Sequence, residues 1–236
     1  MSISANKSRN IMEHIGFPQE AADTICDCTE RVSENADFNA LLDEFIAHPE
    51  NIEDVLKRLK ALSAELGENE YTMNMCLLVG ACPALRERYA EKGIDEEIFW
   101  KSIEDMHWKL LECKECEGVW GTFVPGWYRG FFNMTRFGLG RFQFEETGFD
   151  ADYYEKCGVV LKRGDKVYNF HIPSAGPLTD EKRIDSYKQA YQFFGGKDGE
   201  PMAFVCGSWL LYDGHREFLP ENSNILRYIK KRAECQ

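Results

Sequence analysis

The repeat of apolar residues changes near Val119, from a spacing typical of helices to one typical of strands. Before this point, apolar residues recur about every three to four positions. One such stripe covers 52–66 and ends at Gly67. After it, short β-type runs lie between glycines and other turn residues. We therefore predict an α+β or α/β chain, with a helical domain at 1–117 and a mixed-sheet domain at 118–236.

We expect the two halves to pack directly on each other, because no long linker or low-complexity tract lies between them. In the second half, 167–172 and 202–211 are predicted as central strands, and 163–166 as a hairpin turn between two strands.

In the first half, Pro83 is expected to kink or divide the helical segment 71–92, because proline cannot donate a backbone hydrogen bond.

Charge and composition exclude several classes of partner. The 236 residues carry a formal net charge of −12, which disfavours binding to nucleic acid or to an anionic membrane. No apolar run approaches the roughly 18 residues of a transmembrane helix, and the N-terminus lacks a signal-like apolar core. We therefore expect a cytoplasmic globular protein with neither a membrane nor a nucleic-acid partner.

The cysteines agree with a reducing compartment. There are nine of them, an odd number, and they are scattered along the chain. Cys113 and Cys116 form a C-x-x-C, but no second pair of potential zinc ligands follows it, so we interpret the thiols as reduced and structural. The acidic segments contain neither D-x-D nor H-E-x-x-H, and we predict no metal site.

The segment 166–194 is the strongest candidate for a functional site. A β-type run ends near Ile172, a turn containing Ser174, Ala175 and Gly176 follows, and a helix is predicted to begin after Thr179. Such a strand–turn–helix unit directs free backbone N–H groups towards one point, which suits an anion. Ordinary α/β folds use the same connection without binding anything there, so both interpretations stay open.

His171 ends the strand of this unit, and Cys206 and Ser208 lie on the predicted strand 202–211. Imidazole is suited to proton transfer near neutral pH, so His171 is a candidate general base. A nucleophilic site with Cys206 or Ser208 is the alternative, but neither lies in a G-x-S-x-G elbow. A histidine that only fills space or satisfies a hydrogen bond is the structural alternative.

Polar and aromatic residues alternate over the segment 141–145. Arg141, Gln143 and Glu145 alternate with Phe142 and Phe144. This alternation is typical of a strand with one apolar and one wet face.

Three ordered phrases resemble a known family. They are Phe170-His-Ile-Pro-Ser-Ala-Gly-Pro-Leu178, Ser208-Trp-Leu-Leu211 and Leu219-Pro-Glu-Asn-Ser-Asn-Ile225. After a helical first half, they resemble a bacterial family of acyltransferases that joins a helical N-acyltransferase N-terminal domain to a GNAT-like C-terminal domain.

The resemblance implies a reaction and roles for residues. It implies acyl-CoA or acetyl-CoA as donor and co-substrate, and an amine as small-molecule acceptor. The strand 167–172 would then run along the pantetheine arm, and Ser174, Ala175 and Gly176 would face the pyrophosphate. We expect His171 to help deprotonate the amine and Ser208 to orient acceptor or thioester.

Two other functions compete with acyl transfer. A GNAT-like scaffold can serve as a ligand- or protein-binding module without catalysis, because fold does not fix function. An unrelated cytosolic enzyme with a His/Cys or His/Ser site is the third possibility.

Overall fold

The chain divides into two units, 1–135 and 136–236. The computed structural model describes residues 4–156 and 158–233. The first unit is helical and the second contains a mixed sheet, which confirms the predicted α+β class. The division expected from the change of period, after residue 117, differs from this one by the segment 118–135.

The helices of the first unit are amphipathic or buried. They are α1 (Ala5–His14), α2 (Gln19–Val32), α3 (Ala36–Ala47), α4 (Ile52–Leu66), α5 (Glu70–Glu91), α6 (Glu96–Ile103), α7 (Asp105–Glu117) and α8 (Arg129–Phe132), with short 3-10 helices at Pro49–Asn51 and Pro125–Tyr128. Over the described residues, no helix is both long and apolar enough to span a membrane.

Helix α5 lies at the centre of this unit and contacts α1, α2, α3, α4 and α6. Most of its side chains between Thr72 and Leu85 are buried. Pro83 lies inside α5, which runs from Glu70 to Glu91, so of the two predicted effects, a kink or a division of this helix, the division is wrong. Packing on several sides offsets the backbone hydrogen bond that proline removes.

The aromatic segment after α7 belongs to the first unit because it is bonded to α5. Thr122 N donates to Tyr71 O at 3.0 Å, and Thr72 Oγ1 donates to Trp120 O at 2.9 Å. Gly121 approaches so closely that a Cβ there would lie 2.3 Å from the carbonyl carbon of Tyr71. The lack of a side chain at residue 121 is therefore required for this backbone contact.

The second unit contains short strands and two helices. They are β1 (Arg136–Leu139), β2 (Phe142–Gly148), β3 (Tyr153–Lys156), β4 (Val159–Lys162), β5 (Lys166–His171), α9 (Asp180–Phe193), β6 (Phe204–Val205) and α10 (Asn224–Ala233), with 3-10 helices at Trp209–Leu211 and Asp213–Glu217.

Four strands form the main sheet in the order β1-β2-β5-β6, and β3 and β4 form a separate hairpin. β1, β2 and β5 are antiparallel neighbours, whereas β6 pairs parallel to β5. The predicted strand 202–211 is wrong beyond Phe204 and Val205, because its later part turns into a 3-10 helix. The turn after Lys162 exists, but it does not form a hairpin, because β4 pairs with β3 and β5 pairs with β2.

One face of the main sheet is aromatic and is covered by α9. Tyr187 of α9 lies 5.5 Å from Phe142 and 5.4 Å from Phe170, measured between ring centroids. Thr179 caps this helix as predicted, since its Oγ1 accepts from Lys182 N at 3.4 Å. The buried positions of α9 are Ser186 and Ala190, whereas Ile184 is 48% exposed.

The two-residue turn between β1 and β2 is fixed to α9. Ser186 Oγ accepts from Phe142 N at 3.0 Å and donates to Leu139 O. Gly140 has a φ of +66°, and a Cβ there would lie 3.1 Å from Ser186 Cα. Both the backbone conformation and the helix contact therefore require glycine.

We expect Gly140→Ala to lower the free energy of unfolding by about 1–3 kcal/mol, because it adds a strained φ and a close contact with α9. Urea denaturation measures this loss. Gly164→Ala is the matched control, because Gly164 has a φ of +89° but open space around its Cβ position. Equal losses in the two variants would contradict the contact with Ser186.

Candidate active site

The register of β1, β2 and β5 brings polar residues together on the face opposite the aromatic one. Glu145 pairs with Arg136 on one side and with Asn169 on the other. In the next row, Gln143 pairs with His171. Since alternate residues share a face of a sheet, these side chains form one cluster, which we call the polar face.

His171 and Glu145 form the centre of the polar face. His171 Nε2 lies 2.7 Å from Glu145 Oε1. Arg136 Nη2 donates to both carboxylate oxygens of Glu145, at 3.0 and 3.2 Å, and Asn169 Nδ2 donates to Oε1 at 3.3 Å. The side chains of His171 and Glu145 are 20% and 22% exposed, so the pair is shielded but still reached by solvent.

Glu145 is ionised at neutral pH. Burial acts to raise the pKa of Glu145, but the hydrogen bond from His171 and the charge of Arg136 outweigh it and hold the pKa at about 2, below its ordinary value of 4.5. An ionised carboxylate only accepts hydrogen bonds, so the contact places a proton on His171 Nε2. The basic lone pair of the neutral ring is then on Nδ1.

Residues 172–179 form the loop between β5 and α9, at the position predicted for the turn. Ser174 and Gly176 are exposed, and Ala175 is half-buried. Gly176 O accepts a hydrogen bond from Arg141 Nη2 at 2.9 Å. The three residues expected to bind a phosphate therefore lie together in one loop, directly after the strand that carries His171.

Ser208 is not on a strand, contrary to its predicted position. It is the N-cap of the 3-10 helix Trp209–Leu211, and its Oγ accepts from Leu210 N at 3.3 Å. The described hydrogen bonds of Ser208 lie within its own turn. Its assignment to the site stays a prediction.

Sequence reasoning identified His171 but missed the residues that hold it. The alternation in 141–145 predicted that Gln143 and Glu145 share a face, which the strand β2 confirms, but the predicted exposure of that face is wrong for Arg141 and Gln143, which are buried. It did not indicate Arg136 or Asn169, because their proximity depends on which strands pair and in which register.

The described part of the chain contains no cluster of three or more histidine, cysteine, aspartate or glutamate side chains suited to a metal ion. Cys113 and Cys116 are both free thiols, the first buried and the second exposed.

Comparison with known protein families assigns both halves of the chain. The model of the N-acyltransferase N-terminal domain matches residues 7–134, which is more than half of the chain. The model of the GNAT-like C-terminal domain matches residues 137–234. The chain belongs to this N-acyltransferase family.

Solved structures with the same fold as this N-acyltransferase family member include an acyltransferase in complex with decanoyl-CoA. The two chains are 19% identical, the match covers 95% of this chain and 69% of the other, and the TM-score is 0.64. An acyltransferase in complex with decanoyl-CoA and teicoplanin is 18% identical, with coverages of 95% and 68% and a TM-score of 0.63. A comparison with curated proteins found no match.

Proposed function

We propose that this protein transfers an acyl group from an acyl-CoA, acetyl-CoA included, to the amine of a small-molecule acceptor. The observation that carries the proposal is the His171–Glu145 pair on the polar face, at the end of the strand that precedes the candidate phosphate loop. Membership of an N-acyltransferase family supports the reaction class. The acyl-CoA complexes of structures with the same fold support the donor.

The reaction needs one proton to leave the acceptor. The amine nitrogen attacks the thioester carbonyl, a C–N bond forms, the C–S bond breaks and CoA leaves as a thiolate. In our proposal, His171 Nδ1 takes the proton from the amine, and the resulting imidazolium supplies a proton to the thiolate. Glu145 stabilises that imidazolium through Nε2 and fixes the orientation of the ring. Arg136 holds Glu145 in place through its paired hydrogen bonds.

The remaining predicted residues bind the substrates. Ser174, Ala175 and Gly176 are proposed to face the pyrophosphate of the donor, because their loop directly follows β5. Ser208 is proposed to orient the acceptor or the thioester, and its hydroxyl would have to leave the N-cap of its 3-10 helix to do so.

We expect acyl-CoA to stabilise the protein against unfolding. A ligand at 100 times its dissociation constant adds about 2.7 kcal/mol to the free energy of unfolding, because it binds only the folded state. A thermal-shift screen of acetyl-, octanoyl- and decanoyl-CoA measures the effect, and pantetheine without phosphates serves as the weak-binding control. The absence of a shift with every CoA ester at about millimolar concentration would contradict the proposed donor.

Turnover distinguishes the enzyme from a binding module on the same scaffold. Release of free CoA that depends on an added amine, followed with a thiol reagent, is the expected result. Stabilisation by acyl-CoA without any amine-dependent release would favour a non-catalytic module. Loss of activity on thiol alkylation would instead favour a cysteine nucleophile.

A further inference from the structure

Arg141 has a buried guanidinium that forms no ion pair with a carboxylate of the described residues. The residue is 9% exposed, and its Nη2 donates to Gly176 O at 2.9 Å. Its Nε and Nη1 are also buried and have no hydrogen-bond partner in 4–156 and 158–233. Burial lowers the pKa of Arg141 below its ordinary value.

A buried cation in this state is costly to the folded protein. Removing a charge from water is unfavourable unless a counter-charge and hydrogen bonds replace the lost hydration. One neutral carbonyl satisfies only part of a guanidinium that has five N–H donors. The turn is nevertheless held firmly, since Ser186 of α9 bonds both Leu139 and Phe142 on either side of it.

The start of α9 does not supply the positive charge that a phosphate needs. Thr179 already caps the helix, and Asp180 and Glu181 place negative charge in its first turn. Arg183, one turn into α9, is engaged with Asp180 at 3.2 Å and lies over the ring of Tyr228. Within the described residues, Arg141 has two buried donors without a partner and a direct hydrogen bond to the loop 172–179, whereas Arg183 has one such donor, Nε, and bonds Asp180 of its own helix.

We propose that Arg141 is the anion-binding residue of this site and that its guanidinium binds the pyrophosphate of the donor. This rests on the proposed function, which places the pyrophosphate of the donor at the loop 172–179. In the structure, the carbonyl of Gly176 accepts a hydrogen bond from one donor of Arg141. A phosphoryl oxygen replaces that carbonyl on binding and brings the missing charge, while the exposed Gly176 moves aside.

The test compares Arg141→Met with wild type by calorimetric titration of CoA, dephospho-CoA, 4′-phosphopantetheine and pantetheine. We expect the variant to bind the first three about 10- to 100-fold more weakly and pantetheine equally well, because a charge-assisted contact to phosphate is lost. Arg163→Met is the matched control, since Arg163 is an exposed arginine of the same unit, paired with Asp152. It should bind all four compounds as wild type does.

Three results would overturn the proposal. Equal CoA affinity in wild type and Arg141→Met would assign Arg141 a purely structural role, even where the variant is less stable. A loss seen with CoA but not with dephospho-CoA would assign the contact to the 3′-phosphate. An equal loss with pantetheine would indicate a general disturbance of the loop.

Two further measurements keep the test decisive. If Arg141→Met does not fold, Arg141→Lys replaces it. We expect this variant to bind CoA about 3- to 10-fold more weakly and pantetheine equally well, because lysine keeps the charge but lacks the planar guanidinium that makes two parallel hydrogen bonds. Wild-type affinity in that variant would overturn the proposal. If wild type binds no CoA compound, inorganic pyrophosphate is tested in its place. Stabilisation of wild type but not of the Arg141 variant would support an anion site at Arg141 and reject acyl-CoA as the donor. No stabilisation of wild type would reject both the anion site and the donor.

Discussion

Replacement of His171 by glutamine is expected to slow acyl transfer by about 10²- to 10⁴-fold, the usual contribution of a general base. Glutamine can still donate to Glu145, so the hydrogen bond at Nε2 has a substitute while the basic nitrogen is lost. Affinity for CoA should stay unchanged, because the variant leaves the loop 172–179 intact. Steady-state kinetics with a confirmed donor and acceptor, together with titration of CoA, separate the two effects.

The pH dependence gives a second, independent readout for His171. A neutral imidazole is needed to take the proton, so the wild-type rate should fall on acidification, and His171→Gln should lose that fall. The control is His215→Gln, the same change in the same unit at a histidine that is bonded to Trp209 O and lies outside the polar face. A near-wild-type rate for His171→Gln from about pH 6 to about pH 9 would eliminate the role and favour a water or main-chain relay.

Local sequence signals correctly predicted the helices and strands whose formation depends on residues close together in the chain. Helix α9 has a capping threonine and begins and ends within about a residue of the expected positions. The strand β5 likewise lies where its run of β-type side chains indicated. Both depend on residues close together in the chain, which is why pattern reasoning reached them.

Features that depend on residues far apart in the chain were either missed or predicted wrongly. The run 202–211 has strand-like composition, but only Phe204 and Val205 pair with β5, so composition alone overextended it. The segment 118–135 joins the helical unit through bonds to Tyr71 and Thr72, which are about 50 residues away in the chain. Tertiary contacts of this kind leave no periodic signal in a single sequence.

The candidate site shows the same limit. His171 and Glu145 are 26 residues apart in the chain, and only the antiparallel pairing of β2 with β5 brings them to 2.7 Å. A shift of one residue in that register would turn Glu145 towards the aromatic face and separate the pair. The aromatic contacts under α9 therefore fix the register on which the proposed chemistry depends.

The ionised Glu145 should make the second unit sensitive to acid. A carboxyl whose pKa falls from 4.5 in the unfolded chain to about 2 in the folded protein contributes about 3 kcal/mol to stability. Because the folded pKa is the lower one, this contribution is fully present above the unfolded pKa. It is lost as the pH falls from about 5 to about 2.

Glu145→Gln tests this linkage, because the amide can accept from Arg136 but does not titrate. Denaturant unfolding is measured at a series of pH values, and the difference between wild type and variant isolates Glu145 from the other carboxylates. We expect wild type to be more stable near neutral pH and the gap to shrink by about 3 kcal/mol towards pH 2. Glu146→Gln is the control, since Glu146 is half exposed on the opposite face and pairs with Lys166. If the difference in the free energy of unfolding between wild type and Glu145→Gln does not change with pH, Glu145 contributes through packing and not through its charge. Its proposed stabilisation of a charged His171 would then be contradicted.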